Sequence, residues 1–159
     1  MATNVTEQNI SEPIIRTKMV TAENLATQKT MADCGEYGTL VFDEPVAHGG
    51  TGEGPSPLQG VLSALCACES VTFNRTAAEM GFEYNKLSFS AEYKIDIRGR
   101  LGMRGVTQHF KIVRVEIQVE TQEAVERLEE VVKETEQRCP VYNLIQNAGV
   151  DITCQWIRV

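Results

Sequence analysis

From Lys86 to Ile97 the chain alternates without a miss. Leu87, Phe89, Ala91, Tyr93, Ile95 and Ile97 fall on one side, and Lys86, Ser88, Ser90, Glu92, Lys94 and Asp96 on the other. Strict period two over this length is the pattern of a long strand with one covered and one wet face. Such a strand cannot stand alone, because its backbone needs a partner and its apolar face needs a layer to pack on. The partner follows: Val113, Val115, Ile117 and Val119 alternate with Arg114, Glu116, Gln118 and Glu120. Between them Arg98-Gly99-Arg100-Leu101-Gly102-Met103-Arg104-Gly105 is a basic, glycine-broken connector, so the two strands form a hairpin with a wide loop. Val150, Ile152, Cys154 and Trp156 alternate as a C-terminal strand with Cys154 on its apolar side. Earlier in the chain, three stretches at Ile14 to Thr21, Leu25 to Ala32 and Gly38 to Phe42 predict an antiparallel meander.

The covering layer is helical. Ser56 is a suitable cap, Pro57 suits the first helical position, and Gln59 completes a capping box. From there Leu58, Val61, Leu65, Cys68 and Thr72 recur at 3-4-3-4 spacing, with Leu62, Cys66 and Phe73 on the neighbouring face. The helix is apolar nearly all round until Arg75, which predicts a buried central element ending near Met80 with Gly81 beyond it. A second helix, capped by Thr121, carries Val125, Leu128, Val132, Thr135 and Cys139 on one stripe. Pro140 interrupts it and suits the first position of a new helix, Val141 to Asn147, closed by Gly149. The expectation is an α+β fold: residues 13–159 as one domain, with antiparallel sheets around a central helix, after a disordered lead at 1–12.

With 159 residues and 42% apolar composition the chain is long enough for a real core. Its net charge of -7, with acids spread along the chain, argues against nucleic acid or an anionic membrane as partner. No run of eighteen apolar residues and no signal-peptide pattern occur, so the expected setting is the cytoplasm. The Asn4 and Asn9 sequons are then without meaning. His48-Gly49-Gly50-Thr51-Gly52-Glu53-Gly54-Pro55 lacks the glycine spacing and the lysine of a phosphate-binding loop. No cofactor is expected.

Five cysteines, at 34, 66, 68, 139 and 154, in a chain without an export signal argue against a structural disulfide framework. Zinc fails on spacing, since Cys66 and Cys68 form a C-x-C within a helix and no second close pair exists; no metal site is expected. Cys34, Cys66 and Cys154 read as small apolar residues. Cys139 is different: at the N-cap before Pro140 a thiolate faces free N–H groups and the positive helix end, an arrangement that lowers a cysteine pKa. Cys68 lies in an apolar helix, where desolvation favours the neutral thiol, so it needs a cation or hydrogen-bond donors to react. Cys66 is its rival, since two helical residues face about 200 degrees apart.

The run Gly54-Pro55-Ser56-Pro57-Leu58-Gln59 into Ala64-Leu65-Cys66-Ala67-Cys68, followed by a strand pair, a helix, Cys139-Pro140-Val141 and a last strand, resembles the osmotically inducible protein C and organic hydroperoxide resistance (OsmC/Ohr) family. More specifically, its Leu58-Gln59 variant looks like a less characterised OsmC-like branch. The resemblance implies an intertwined homodimer and a cysteine-based, peroxiredoxin-like peroxidase of the oxidative stress response, an antioxidant oxidoreductase. In that chemistry Cys68 attacks an organic hydroperoxide and becomes a sulfenic acid, Cys139 condenses with it to a Cys68–Cys139 disulfide, and an external dithiol reductant restores both. The chain departs from the family where peroxidase branches carry a glutamate before the central helix and an arginine from an N-terminal strand. It has Leu58 and Gln59 at the first place, and from Leu25 to Pro45 it has Lys29 but no arginine. Glu53, Arg98, Arg100, Arg104 and Arg16 are the candidate substitutes. The alternative reading is a dimer of the same fold, without peroxidase activity, that binds a small apolar ligand between subunits.

Overall fold

The computed structural model describes residues 13–159, so the expected disordered lead lies outside the described residues. The chain forms two compact units, one ending at Ser56 and the other spanning Pro57–Val159.

The first unit is a three-stranded antiparallel meander, β1 (Thr21–Asn24), β2 (Thr30–Asp33) and β3 (Thr39–Phe42). The meander was expected, but the first strand starts where its prediction ended, at Thr21, and residues 14–20 are exposed and irregular. Thr21 pairs with Asp33, the last residue of β2, and the turn between the two strands is held by Asn24, whose side-chain amide donates to the carbonyls of Thr27 and Lys29 at 2.8 Å each. That turn also takes Leu25 out of the strand expected from Leu25 to Ala32, and Ala26 there has a φ of 60°. After β3 the glycine-rich loop winds about one carboxylate. Asp43 accepts from the main-chain N–H groups of Glu44, Thr51 and Glu53 and from the Thr51 hydroxyl. These bonds hold its carboxyl far below the usual range, the Thr51 hydroxyl contributing most. Gly50 is required by this path, since a Cβ there would stand 1.8 Å from the Glu44 carbonyl oxygen.

The second unit packs helices on one face of a three-stranded sheet. α1 (Pro57–Met80) begins at the proline its sequence predicts. It ends in a Schellman motif: Phe82 N–H reaches the Ala77 carbonyl, Gly81 N–H reaches Ala78, and Gly81 has a φ of 64°. Phe82 is thereby turned into the core against Phe73, ring centroids 6.0 Å apart. β4 (Lys86–Lys94) pairs antiparallel with β5 (Ile112–Glu120), as the alternation requires. It is shorter than its pattern, because Asp96 caps a one-turn helix α2 (Ile97–Arg100) by accepting from Arg98 N–H, and Ile97 is left exposed. Period two cannot register a cap inside an alternating run.

α3 (Val125–Arg138) is not capped by Thr121 as expected. Its N-cap is Ala124, while Thr121 donates to the Glu83 carbonyl and accepts from Glu123 N–H, tying the end of β5 to the start of β4. α4 (Pro140–Asn147) starts at the proline after Cys139, and Gly149 beyond it has a φ of 79°. β6 (Asp151–Arg158) then pairs with β5 in parallel, giving the order β4-β5-β6. The two intervening helices return the chain to the same end of the sheet, so this one ladder is parallel where antiparallel sheets were expected. The inner face of β5, Val113, Val115, Ile117 and Val119, is almost wholly buried, each side chain contributing about 1.5–3 kcal/mol. No helix among the described residues is long and apolar enough to cross a membrane.

Candidate functional site

α1 is covered within its unit along one stripe, Leu62, Leu65, Glu69, Phe73, Thr76 and Ala77. This is one step round from the stripe that passes through Leu58, Val61 and Cys68, and Val61 is exposed. In a helix apolar on most sides, several neighbouring stripes satisfy the same 3-4 spacing, and only packing selects one.

Cys68 therefore lies at the margin of the core, half buried, while Cys139 is fully buried. The fold brings Cys68 near enough to Cys139 to act on its thiol. Cys139 is the N-cap of α4, its sulfur accepting from Tyr142 N–H at 3.5 Å. That placement is the one expected, but its electrostatic consequence is the reverse. Desolvation outweighs the Tyr142 N–H and, together with the Glu69 carboxyl, pushes the Cys139 thiol well above its ordinary range. A cap supplies one long S···N contact, whereas burial removes all water from the sulfur, so desolvation dominates. Cys66 is half buried with its thiol also pushed up by burial, and it acts on Cys154. Cys68 acts on Cys139, which separates the two members of the C-x-C pair by direction.

Sequence reasoning missed Glu69. It is fully buried, neither carboxyl oxygen has a well-formed hydrogen bond, and the donor that acts on it is the Cys139 thiol. Burial, reinforced by the nearby Glu136 carboxyl, pushes its pKa up to about 7. The signal was present: Glu69 is an acid on a stripe whose other members are Leu62, Leu65 and Phe73, where a lone carboxylate costs free energy unless it has a task. Around this centre stand Tyr142, pushed up to about 12 by burial, and Glu136, which accepts from the Trp156 indole at 3.3 Å. Trp156 stacks on Phe73 with centroids 4.9 Å apart.

The groups acting most strongly on Cys139 and Glu69 are thiols, carboxyls and one main-chain N–H. Two of the candidate helpers are occupied elsewhere: Arg98 pairs with Asp96 at 2.6 Å, and Glu53 pairs with Lys29 at 2.9 Å. A groove of about 390 Å³ between α3 and α4 is lined in part by Glu136 and Tyr142, both of which interact electrostatically with Glu69. A larger one of about 530 Å³, near the end of α1, is lined by Asn74, Phe82, Glu83 and Thr121 among others and holds no thiol.

The structure is similar to an OsmC-like protein from Mycoplasma pneumoniae, with a TM-score of 0.76 at 18% identity over 91% of this chain and 99% of that one. It is similar to an organic hydroperoxide resistance protein OsmC from Legionella pneumophila, with a TM-score of 0.66 at 18% identity over 91% and 99%. For the organic hydroperoxide resistance protein OhrB of Bacillus subtilis the TM-score is 0.59 at 21% identity, over 89% and 98%. No curated protein matches the chain significantly in sequence. The family model for OsmC-like proteins matches residues 50–155, which take in α1, both thiols of the pair, β4, β5 and the first part of β6, and the chain belongs to that family.

Proposed function

We propose that this protein is a thiol peroxidase that reduces organic hydroperoxides through Cys68 and Cys139. The observation that carries the reading is the pairing of a half-buried thiol with a fully buried one that it acts on, in an apolar surround. Cys68, the more exposed, meets the peroxide: its sulfur attacks the distal oxygen, alcohol leaves, and a sulfenic acid remains. Cys139, shielded from bulk peroxide, is suited to the second step, in which its sulfur displaces the sulfenic oxygen as water and closes the disulfide. An external dithiol then reduces the pair. The apolar lining favours organic peroxides over hydrogen peroxide. The relatives from Legionella pneumophila and Bacillus subtilis carry the name organic hydroperoxide resistance protein, which supports the substrate class. The working form in this proposal is a cytoplasmic homodimer.

The test is peroxide consumption with a dithiol reductant, paired with intact-mass analysis. Cumene hydroperoxide should convert the wild type to a species two hydrogens lighter. Cys68→Ser should abolish turnover, and Cys139→Ser should leave a Cys68 sulfenic acid that a dimedone-type reagent captures. Full activity in both variants would sink the mechanism. The second reading, a dimer that binds a small apolar ligand, is favoured by Leu58 and Gln59 in place of the family glutamate and by a Cys139 thiol held protonated. It predicts no mass change at millimolar peroxide.

A further inference from the structure

The unexplained group in this site is a carboxyl. Glu69 follows Cys68 directly on α1, is fully buried, and has both oxygens without a well-formed hydrogen bond. The thiol facing it belongs to Cys139 across the α1–α4 packing, and that same thiol faces Cys68. A buried acid with no structural partner, set against one of two thiols that must lose a proton, has the geometry of a proton acceptor.

We propose, on the basis of the peroxidase reading, that Glu69 is a catalytic residue of the disulfide-forming step, the general base for Cys139. As the Cys139 sulfur attacks the sulfur of the Cys68 sulfenic acid, the Glu69 carboxylate takes the thiol proton. The S–S bond forms, the S–O bond breaks, and the departing oxygen leaves as water, receiving the proton that Glu69 has just accepted. One sulfenic acid and one thiol become one disulfide and one water. No outside oxidant or reductant enters, and Glu69 returns to the carboxylate. The need is physical: burial holds the Cys139 proton on sulfur, so without an acceptor the attacking thiolate is scarce. With its pKa pushed up to about 7, Glu69 is an effective acceptor near neutral pH.

Glu69→Gln retains the shape and removes the base. The experiment is rapid-quench mass spectrometry after one equivalent of cumene hydroperoxide, resolving sulfenic acid from disulfide. Sulfenic acid formation should proceed within about twofold of wild type, while disulfide closure slows by about 100-fold or more. Glu69→Asp should recover part of that loss. A merely structural role would not move the second readout: in wild type the closure rate should rise with pH through about 7, and this inflection should vanish in Glu69→Gln. The other titratable groups facing Glu69 are Cys139 and Tyr142 from α4, Glu136 from α3, Cys154 from β6, and Cys66 on its own helix. Glu136→Gln is the control and should keep the inflection. Closure in Glu69→Gln at the wild-type rate, or a wild-type closure rate flat across pH 6 to 8, overturns the role of Glu69 and leaves the peroxidase reading standing. A wild type that forms no disulfide overturns both. The pH profile is read on wild-type protein and therefore holds even where the variant fails to fold.

Discussion

Glu69 affects stability as well as chemistry. Its pKa is raised in the folded chain from an ordinary 4.5 to about 7, so the folded state binds the proton more tightly than the unfolded chain. Below pH 4.5 both states are protonated and the group is neutral in effect. As pH rises from there the unfolded chain ionises first, and stability falls until the folded-state value is passed near 7. The loss is on the order of 3 kcal/mol, and Glu69→Gln should abolish it. Urea denaturation at pH 5 and pH 8 checks this: the wild-type midpoint should drop between the two, and the variant's should change less. An equal drop in both would place the pH dependence elsewhere. The same residue illustrates the limit of pattern reading. Cys139 stood out by its place before Pro140 and Cys68 by the family resemblance, whereas Glu69 was hidden because a single acid in an apolar helix is ordinarily assigned to a solvated face.

Among the elements, α1 is the one most clearly written in the chain, because both of its ends are chemical signals. Pro57 suits the first turn, and Gly81 supplies the left-handed conformation that closes the last one. A Cβ at Gly81 would meet nothing within 4 Å, so Gly81→Ala is opposed by backbone conformation alone. It should cost about 1–2 kcal/mol in chemical denaturation, and Gly81→Asn less. Equal loss in both would mean that the side chain and not the backbone is at fault. Elements whose ends depend on a single side chain were read less well. β4 stops at Lys94 because Asp96 captures Arg98 N–H, and α3 starts without the cap expected from Thr121. In each case one polar side chain had two possible backbone partners, and tertiary placement decided between them.

For the whole molecule the open matter is what covers the apolar surface. Val61 and Val71 on α1, Leu144 on α4, and Met31 and Leu40 on the first sheet are exposed in the single chain. The composition of α1, apolar nearly all round, exceeds what one face of packing uses, and the homodimer proposed above gives the surplus a partner. Sedimentation equilibrium should return twice 17.6 kDa at micromolar concentration. A mass of one chain throughout would refute the dimer while leaving the thiol chemistry open to its own test.

The sequence by itself determined the α+β class, the meander, the hairpin of β4 and β5, the long helix and the position of Cys139 before Pro140. All of these rest on periodicity or on the conformational demands of proline and glycine, which act over a few residues. Only the tertiary structure decided that β6 runs parallel to β5, that α1 turns Glu69 inward, and that the Cys139 thiol is held protonated at a helix end that would ordinarily ionise it. These outcomes depend on which surfaces are deprived of water once distant segments meet, a quantity that no local pattern contains.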